Sequence, residues 1–123
     1  RYRGQAIPQS LEAKILFDAD KLDVCGAVGI ARTLLYEGNL GQPLYFREPS
    51  GSICDADGQT QPCFLREYHR KLRHISSRLF TARAKELARQ REEFARQYYE
   101  QFLMEIRETY ETGAACLKER LTD

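Results

Sequence analysis

The chain of 123 residues contains no tryptophan, one methionine and only two histidines, His69 and His74. On a helix, side chains five positions apart point about 140° away from each other, so these two do not form a chelating pair. No apolar run approaches the roughly 20 residues of a membrane-spanning helix. The first residues, 1–5, lead into no apolar segment of a secretory signal. These absences predict a cytoplasmic protein without a membrane segment.

The four cysteines, Cys25, Cys54, Cys63 and Cys116, contain no CxxC pair. Cys25 and Cys116 fall in helical patterns, where a free thiol commonly behaves as a small apolar group. Cys54 and Cys63 share a loop rich in glycine and proline and could meet there. Two thiols without nearby histidines make a poor zinc site, so reduced cysteines are the simplest interpretation.

The composition is that of a globular protein, with 42% apolar residues, 30% charged residues and a net charge of +1. The length fits one domain. Between Arg66 and Arg96, basic residues outnumber acidic ones by more than two to one. Such a stretch is either the solvated face of a helix or a surface that binds phosphates. A helical bundle that binds nucleic acid through this stretch is the weaker hypothesis, because the net charge is close to zero.

Apolar residues recur with the period of a helix from Leu11 to Leu34, after Ser10, which can act as an N-cap. Gly26 and Gly29 lie within this pattern on one side, where they would allow another helix to approach closely. Gly38 is a helix stop signal. The pattern therefore predicts one long first helix, followed by a long loop over residues 38–63.

A second helix is predicted from about Phe64 to Phe80, and Thr81 is a candidate N-cap for a third. The third helix is expected to cover residues 82–112 and to end at Gly113, with a short helical tail after it. No alternation typical of β-strands is present. The predicted fold is an all-α antiparallel bundle of about three main helices.

Three aspartates, Asp18, Asp20 and Asp23, are the residues in the first helix that packing explains least well. At 100° per residue, Asp20 falls on or beside the apolar stripe, where a carboxylate needs a partner or a metal ion. Asp18 and Asp23 point in other directions, so the three do not form one cluster. We expect Asp18 to be a solvated charge, and for Asp23 a solvated charge and a functional role remain equally open.

The segment from Glu12 to Thr33, with its Asp18-Ala19-Asp20-Lys21-Leu22-Asp23 and Gly26-Ala27-x-Gly29-Ile30-Ala31-Arg32 motifs, resembles the fourth metal-ligand helix of HD-domain phosphohydrolases. Residues 71–72 and 79–91 are similar to later helices of the same small bacterial nucleotide-hydrolase branch. The resemblance covers residues 10–105. It implies an HD-type bundle and a metal-dependent hydrolase of nucleotides or related phosphate esters, in which the metal activates a water molecule.

In that family the divalent metal is held by a histidine, an adjacent His-Asp pair and a distant aspartate. Asp20 matches the distant aspartate, so the resemblance assigns it as a metal ligand for Mn, Mg, Fe or another divalent ion. Lys21, Arg32, Lys71 and Arg91 are possible phosphate-binding residues by the same resemblance. For Arg32, an ion pair with a carboxylate on a neighbouring helix is an equally good account.

This sequence contains no His-Asp dipeptide, and both histidines follow the aspartate instead of preceding it. We therefore expect residues 1–123 to be a single partial domain, the C-terminal portion of an HD domain, with little activity alone. The alternative is a non-catalytic helical interaction module derived from that fold. Its expected partners are a second copy or the missing N-terminal half.

Overall fold

The structure, a computed structural model, describes residues 6–53 and 61–122, and it is all-α as predicted. Its five α-helices are α1 (Leu11–Leu22), α2 (Gly26–Asn39), α3 (Phe64–Arg70), α4 (Ala82–Arg107) and α5 (Gly113–Thr122). A 3₁₀ helix (Leu72–Arg78) lies between α3 and α4, and a π-helical segment (Glu108–Thr112) joins α4 to α5. Part of the predicted loop 38–63, including Cys54, lies outside the described residues.

Helix α4 is the element against which the rest of the fold packs. It contacts α1, α2 and the 3₁₀ helix. Thr81 caps its start as predicted, because the hydroxyl accepts a hydrogen bond from the amide of Ala84. The buried side chains of α4 are small, Ala84, Ala88 and Ala95 among them, which lets the neighbouring helices approach its backbone.

The core includes the interface between α3 and the C-terminal half of α4. Phe64 and Leu65 are completely buried at the start of α3. The Phe64 ring meets Phe102 edge-on at 5.5 Å, and Tyr68 stacks on Tyr99 at 4.3 Å. Aromatic pairs of this kind add to the stabilisation that burial gives, so α3 is held firmly on α4.

The prediction of one long first helix is wrong. α1 ends at Leu22, residues 23–25 form a turn, and α2 begins at Gly26 with a φ of +70°. A Cβ on Gly26 would lie 2.9 Å from the Cβ of Arg91 on α4. A Cβ on Gly29 would overlap the backbone of Val24, in the turn. The two glycines thus serve the turn and a close approach to α4.

Two other helix boundaries also differ from prediction. The α-helix that starts at Phe64 stops at Arg70, and the chain continues as the 3₁₀ helix. Carboxylates from other helices satisfy the amides beyond this point: Glu92 accepts from Ser76 at 2.6 Å, and Asp18 accepts from Phe80 at 2.9 Å. Gly113 does not end the predicted third helix, because it keeps helical angles (φ −64°, ψ −42°) and the chain continues from the π-helical segment into α5.

None of the helices in the described part of the chain is long and apolar enough to cross a lipid bilayer.

Candidate phosphate-binding cleft

An open cleft of about 1390 Å³ lies where α2, the end of α1 and the α3–3₁₀ segment meet. Its wall contains four cationic side chains and three carboxyl groups. These seven are Lys21, Arg32, Arg66, Lys71, Asp20, Glu37 and Glu67. Four of the five residues that the sequence singled out, Asp20, Lys21, Arg32 and Lys71, therefore line one cleft.

Backbone hydrogen bonds bring the two sides of the cleft together. After α2, the chain returns so that the carbonyl groups of Pro43 and Leu44 accept hydrogen bonds from the amides of Phe64 and Leu65, at 3.3 and 3.2 Å. These amides belong to the first turn of α3, which has no partner for them within its own helix. The last turn of α2 is thereby held beside the first turn of α3.

Each of the three candidate phosphate-binding cations that line the cleft has a carboxylate neighbour. The Lys21 ammonium lies 3.7 Å from Asp20, Arg32 lies 2.8 Å from Asp23, and Lys71 lies 2.9 Å from Glu67. Lys21 is also 5.2 Å from the centre of the Phe17 ring. The Arg32–Asp23 and Lys71–Glu67 pairs are solvent-accessible, and such pairs are worth at most about 1 kcal/mol. A phosphate group can therefore compete for these cations.

The roles of the three aspartates differ from the sequence analysis. Asp18, expected to be solvated, is the buried one, with 2% of its surface exposed. Asp20, expected beside the apolar stripe, is exposed, and its side chain keeps 48% of its accessible surface. Asp23 pairs with Arg32, which corresponds to the ion-pair alternative for that arginine. The break after Leu22 changes only the direction of Asp23. Asp18 and Asp20 both lie within α1, and Asp18 is buried because Phe80 and Thr81 pack on it.

Asp18 joins α1 to the start of α4. Its carboxylate accepts hydrogen bonds from the amides of Phe80 and Thr81, at 2.9 and 2.8 Å, and from the Thr81 hydroxyl at 2.8 Å. These three bonds account for a buried carboxylate without any ligand. Asp18 is therefore a structural residue.

Arg91 does not line the cleft. Its guanidinium donates a hydrogen bond at 3.0 Å to the carbonyl group of Leu22, at the C-terminus of α1, and its stem packs on Gly26. A cation is favourable at this end of a helix dipole. The suggested phosphate-binding role of Arg91 gains no support from this position.

Three further residues of the cleft, Glu37, Arg66 and Glu67, were not predicted from the sequence. Glu37 lies in the last turn of α2 and is only 6% exposed. The pKa of Glu37 is raised to about 7, mainly because the carboxyl group is buried and to a lesser extent because Glu67 is nearby. Lys71 lowers it by a smaller amount. An acidic residue in the last turn of a helix opposes the helix dipole, and this was the signal available in the sequence.

The metal-ligand prediction rests on Asp20 alone. Across residues 6–53 and 61–122, no three His, Cys, Asp or Glu side chains lie close enough together to hold a metal ion. A single carboxylate binds a divalent ion weakly, because such ions take several oxygen ligands. The described residues therefore do not make a metal site by themselves.

No known protein-family model matches the sequence. A relative, the uncharacterised protein YpgQ of Bacillus subtilis, is 35% identical over 99 residues, which are 80% of this chain and 42% of YpgQ. The YpgQ crystal structure superposes with a TM-score of 0.68 at 34% identity, covering 86% of this chain and 48% of that one. The chain thus spans about half the length of the proteins it matches.

A crystal structure of an HD-superfamily hydrolase from Bacillus thuringiensis superposes with a TM-score of 0.62 at 36% identity, over 78% of this chain and 46% of that one. The fold is HD-like. YpgQ has also been crystallised in complex with ADP; that structure matches with a TM-score of 0.65 at 34% identity, over 80% of this chain and 45% of that one. The HD resemblance of the sequence is confirmed at the level of the fold.

Proposed function

We propose that this chain forms the phosphate-binding part of a phosphohydrolase of the HD type, acting on nucleotides or related phosphate esters. The observation that carries the proposal is the meeting of Asp20, Lys21, Arg32 and Lys71 in one cleft. Three of these side chains are cations that a phosphate can reach. Arginine suits bidentate contact with phosphate oxygens, and lysine acts as a compact point charge.

The similarity to known structures supports a nucleotide as the ligand. A structure that shares the fold is an HD-superfamily hydrolase, and YpgQ has been crystallised with ADP. The cleft of about 1390 Å³ has room for a nucleoside diphosphate. The balance of charge agrees as well, because the four cationic side chains of the wall outnumber its three carboxyl groups.

We further propose that Asp20 contributes one ligand to a divalent ion and that the other ligands come from outside the described residues. Asp20 is suited to this role because its side chain is exposed at the cleft and, among the described residues, pairs with Lys21 alone, at 3.7 Å. The chain by itself is then expected to bind nucleotide better than it hydrolyses it.

The test is calorimetric titration of the protein with ADP, with and without MnCl₂ or MgCl₂. We expect Lys71→Met to weaken ADP binding about tenfold, since hydrogen bonds to charged groups are worth about 1.5–3 kcal/mol. We expect Asp20→Asn to abolish any effect of the metal on binding. The control is Glu105→Gln, an exposed residue of α4 away from the cleft. ADP affinity that neither Lys71→Met nor the metal alters would contradict the proposal.

A second candidate function is a non-catalytic interaction module, and it is favoured by the apolar surface of α1. Leu11 and Ile15 are 64% and 52% exposed, and Leu16 is exposed beside them. Exposed apolar patches commonly mark sites where proteins associate. A protein that binds no nucleotide but self-associates through α1 would favour this function over the first.

A further inference from the structure

Two polar groups in the wall of the cleft have no hydrogen-bond partner. They are the Oε2 atom of Glu37 and the Nε–H group of Arg66, and both are buried without a bond to any described residue. Glu37 is 94% buried and belongs to α2, whereas Arg66 belongs to the first turn of α3. A buried donor and a buried acceptor without partners therefore belong to two helices that line the same cleft.

The position of Glu37 is unfavourable for a purely structural residue. A buried polar group without a hydrogen bond destabilises a fold. The C-terminal end of α2 repels a negative charge, and Glu67 lies close enough to raise the pKa of Glu37 further. Buried ionisable groups with a shifted pKa are concentrated at binding and catalytic sites. The Glu37 carboxyl is thus suited to a ligand that supplies the missing hydrogen bond.

The chemistry of the pair limits the ligand group that it can take. Glu37 would repel a phosphate, and the cations Lys21, Arg32 and Lys71 line other parts of the wall. An acceptor on Glu37 and a donor on Arg66 complement an uncharged group that carries a donor beside an acceptor. The amino group of adenine and the neighbouring ring nitrogen N1, on its Watson–Crick edge, have this arrangement.

On the basis of the proposed function, we propose that Glu37 and Arg66 form a nucleobase subsite. This subsite orients a nucleotide with its phosphates towards Lys21, Arg32 and Lys71. In this subsite Glu37 accepts a hydrogen bond from the exocyclic amino group of the base. Arg66 donates one to the adjacent ring nitrogen. The subsite selects bases with an amino group and is separate from the proposed phosphate contacts.

The first test compares ADP with purine riboside 5′-diphosphate, which lacks only the amino group, by calorimetric titration of the unaltered protein at pH 8. We expect ADP to bind about tenfold more tightly, as for a hydrogen bond to a charged group. We also expect 1-deaza-ADP, which lacks the ring nitrogen facing Arg66, to bind more weakly than ADP. This comparison needs no variant and so does not depend on how a variant folds.

The second test is Glu37→Met, which removes the acceptor at similar volume. We expect the variant to lose the preference for ADP while its affinity for purine riboside diphosphate stays within about twofold of the original. Glu12→Met, on the exposed face of α1, is the matched control and should retain the preference. Circular dichroism verifies that both variants are folded. If Glu37→Met does not fold, the comparison of ADP with purine riboside diphosphate on the unaltered protein is the deciding test.

Three outcomes would overturn the proposal; the first two refute the base subsite alone, and the third also refutes the proposed function. Equal affinity of the unaltered protein for ADP and purine riboside diphosphate would refute the base subsite and leave the proposed nucleotide binding intact. The same holds if Glu37→Met weakens both ligands equally. If the protein binds neither nucleotide, nor inorganic pyrophosphate, the proposed function fails and the subsite with it.

Discussion

At the residue scale, Asp18 and Asp20 show how two neighbouring carboxylates on one helix acquire opposite roles. Asp18 is enclosed between α1 and the start of α4, and Thr81 and Phe80 satisfy its oxygens. Asp20 lines the cleft and pairs with Lys21. The first is therefore expected to determine stability and the second ligand binding.

Replacing Asp18 with alanine leaves the amides of Phe80 and Thr81 without partners and removes the anchor of the α4 N-cap. Unpaired buried donors cost about 1–3 kcal/mol each, so we expect Asp18→Ala to lower the free energy of unfolding by about 2–4 kcal/mol. Chemical denaturation measures the change. The control, Asp20→Ala, should alter stability by less than about 0.5 kcal/mol. Similar losses in both variants would contradict the assignment of Asp18.

Glu37 makes stability depend on pH. Its pKa is raised from 4.5 to about 7 by burial and by Glu67, so between these values the folded chain holds a proton that the unfolded chain has released. Stability contributed by this group is complete below about pH 4.5 and is lost as the pH rises through about 7.

We therefore expect the stability difference between the unaltered protein and Glu37→Gln to change with pH. The unaltered protein should lose on the order of 2 kcal/mol relative to Glu37→Gln between about pH 5 and pH 8, since one pKa unit corresponds to about 1.4 kcal/mol. Urea denaturation across this range measures the difference. Glu105→Gln, the exposed control, should show none. A constant difference for Glu37→Gln would mean that its pKa is not raised.

At the element scale, the turn between α1 and α2 sets the shape of the cleft, because it allows α2 to fold back along α4. The turn depends on Gly26, whose φ of +70° is unfavourable for other residues and whose hydrogen atoms face the stem of Arg91. We expect Gly26→Ala to lower the free energy of unfolding by about 2 kcal/mol.

Gly38, near the end of the same helix, is the matched control for Gly26. Nothing lies within 4 Å of the Cβ that an alanine would add there. Gly38→Ala should raise stability by about 0.5–1 kcal/mol, because alanine favours a helix and restricts the unfolded chain. Thermal denaturation of the two variants should shift the midpoint in opposite directions. Shifts of the same sign would contradict the turn geometry.

The sequence predicted those elements that local signals determine. Thr81 was identified as an N-cap because its hydroxyl acts within its own helix. The break at residues 23–25 was missed because Leu11, Ile15 and Leu22 continue the helical period up to it, while the close contact that requires Gly26 comes from α4. The same reason explains the misassignment of Asp18, whose partners are more than 60 positions away. Long-range contacts determine the conformation and burial of these residues, and the periodicity of the sequence carries no information about such contacts.

At the scale of the whole molecule, the apolar residues of α1 did not become core. Leu11 and Ile15, four positions apart on one face, are more than half exposed, although the sequence placed them on a buried stripe. Val28 and Leu35 are exposed in the same way on α2. Since related structures are about twice the length of the matching region, we propose that this surface is covered by further protein, either a second copy or another segment.

The exposed apolar face of α1 predicts that the chain self-associates. Leu11→Lys/Ile15→Lys places two charges on this face, where burial against a partner would then be unfavourable. We expect sedimentation equilibrium to show that the unaltered chain self-associates. The double variant should have an association constant at least about tenfold lower, equivalent to about 1.4 kcal/mol. Leu117→Lys, equally exposed on α5, is the control and should associate like the unaltered chain. A monomer at every concentration would show that α1 does not bind a second copy and would favour another protein segment as its cover.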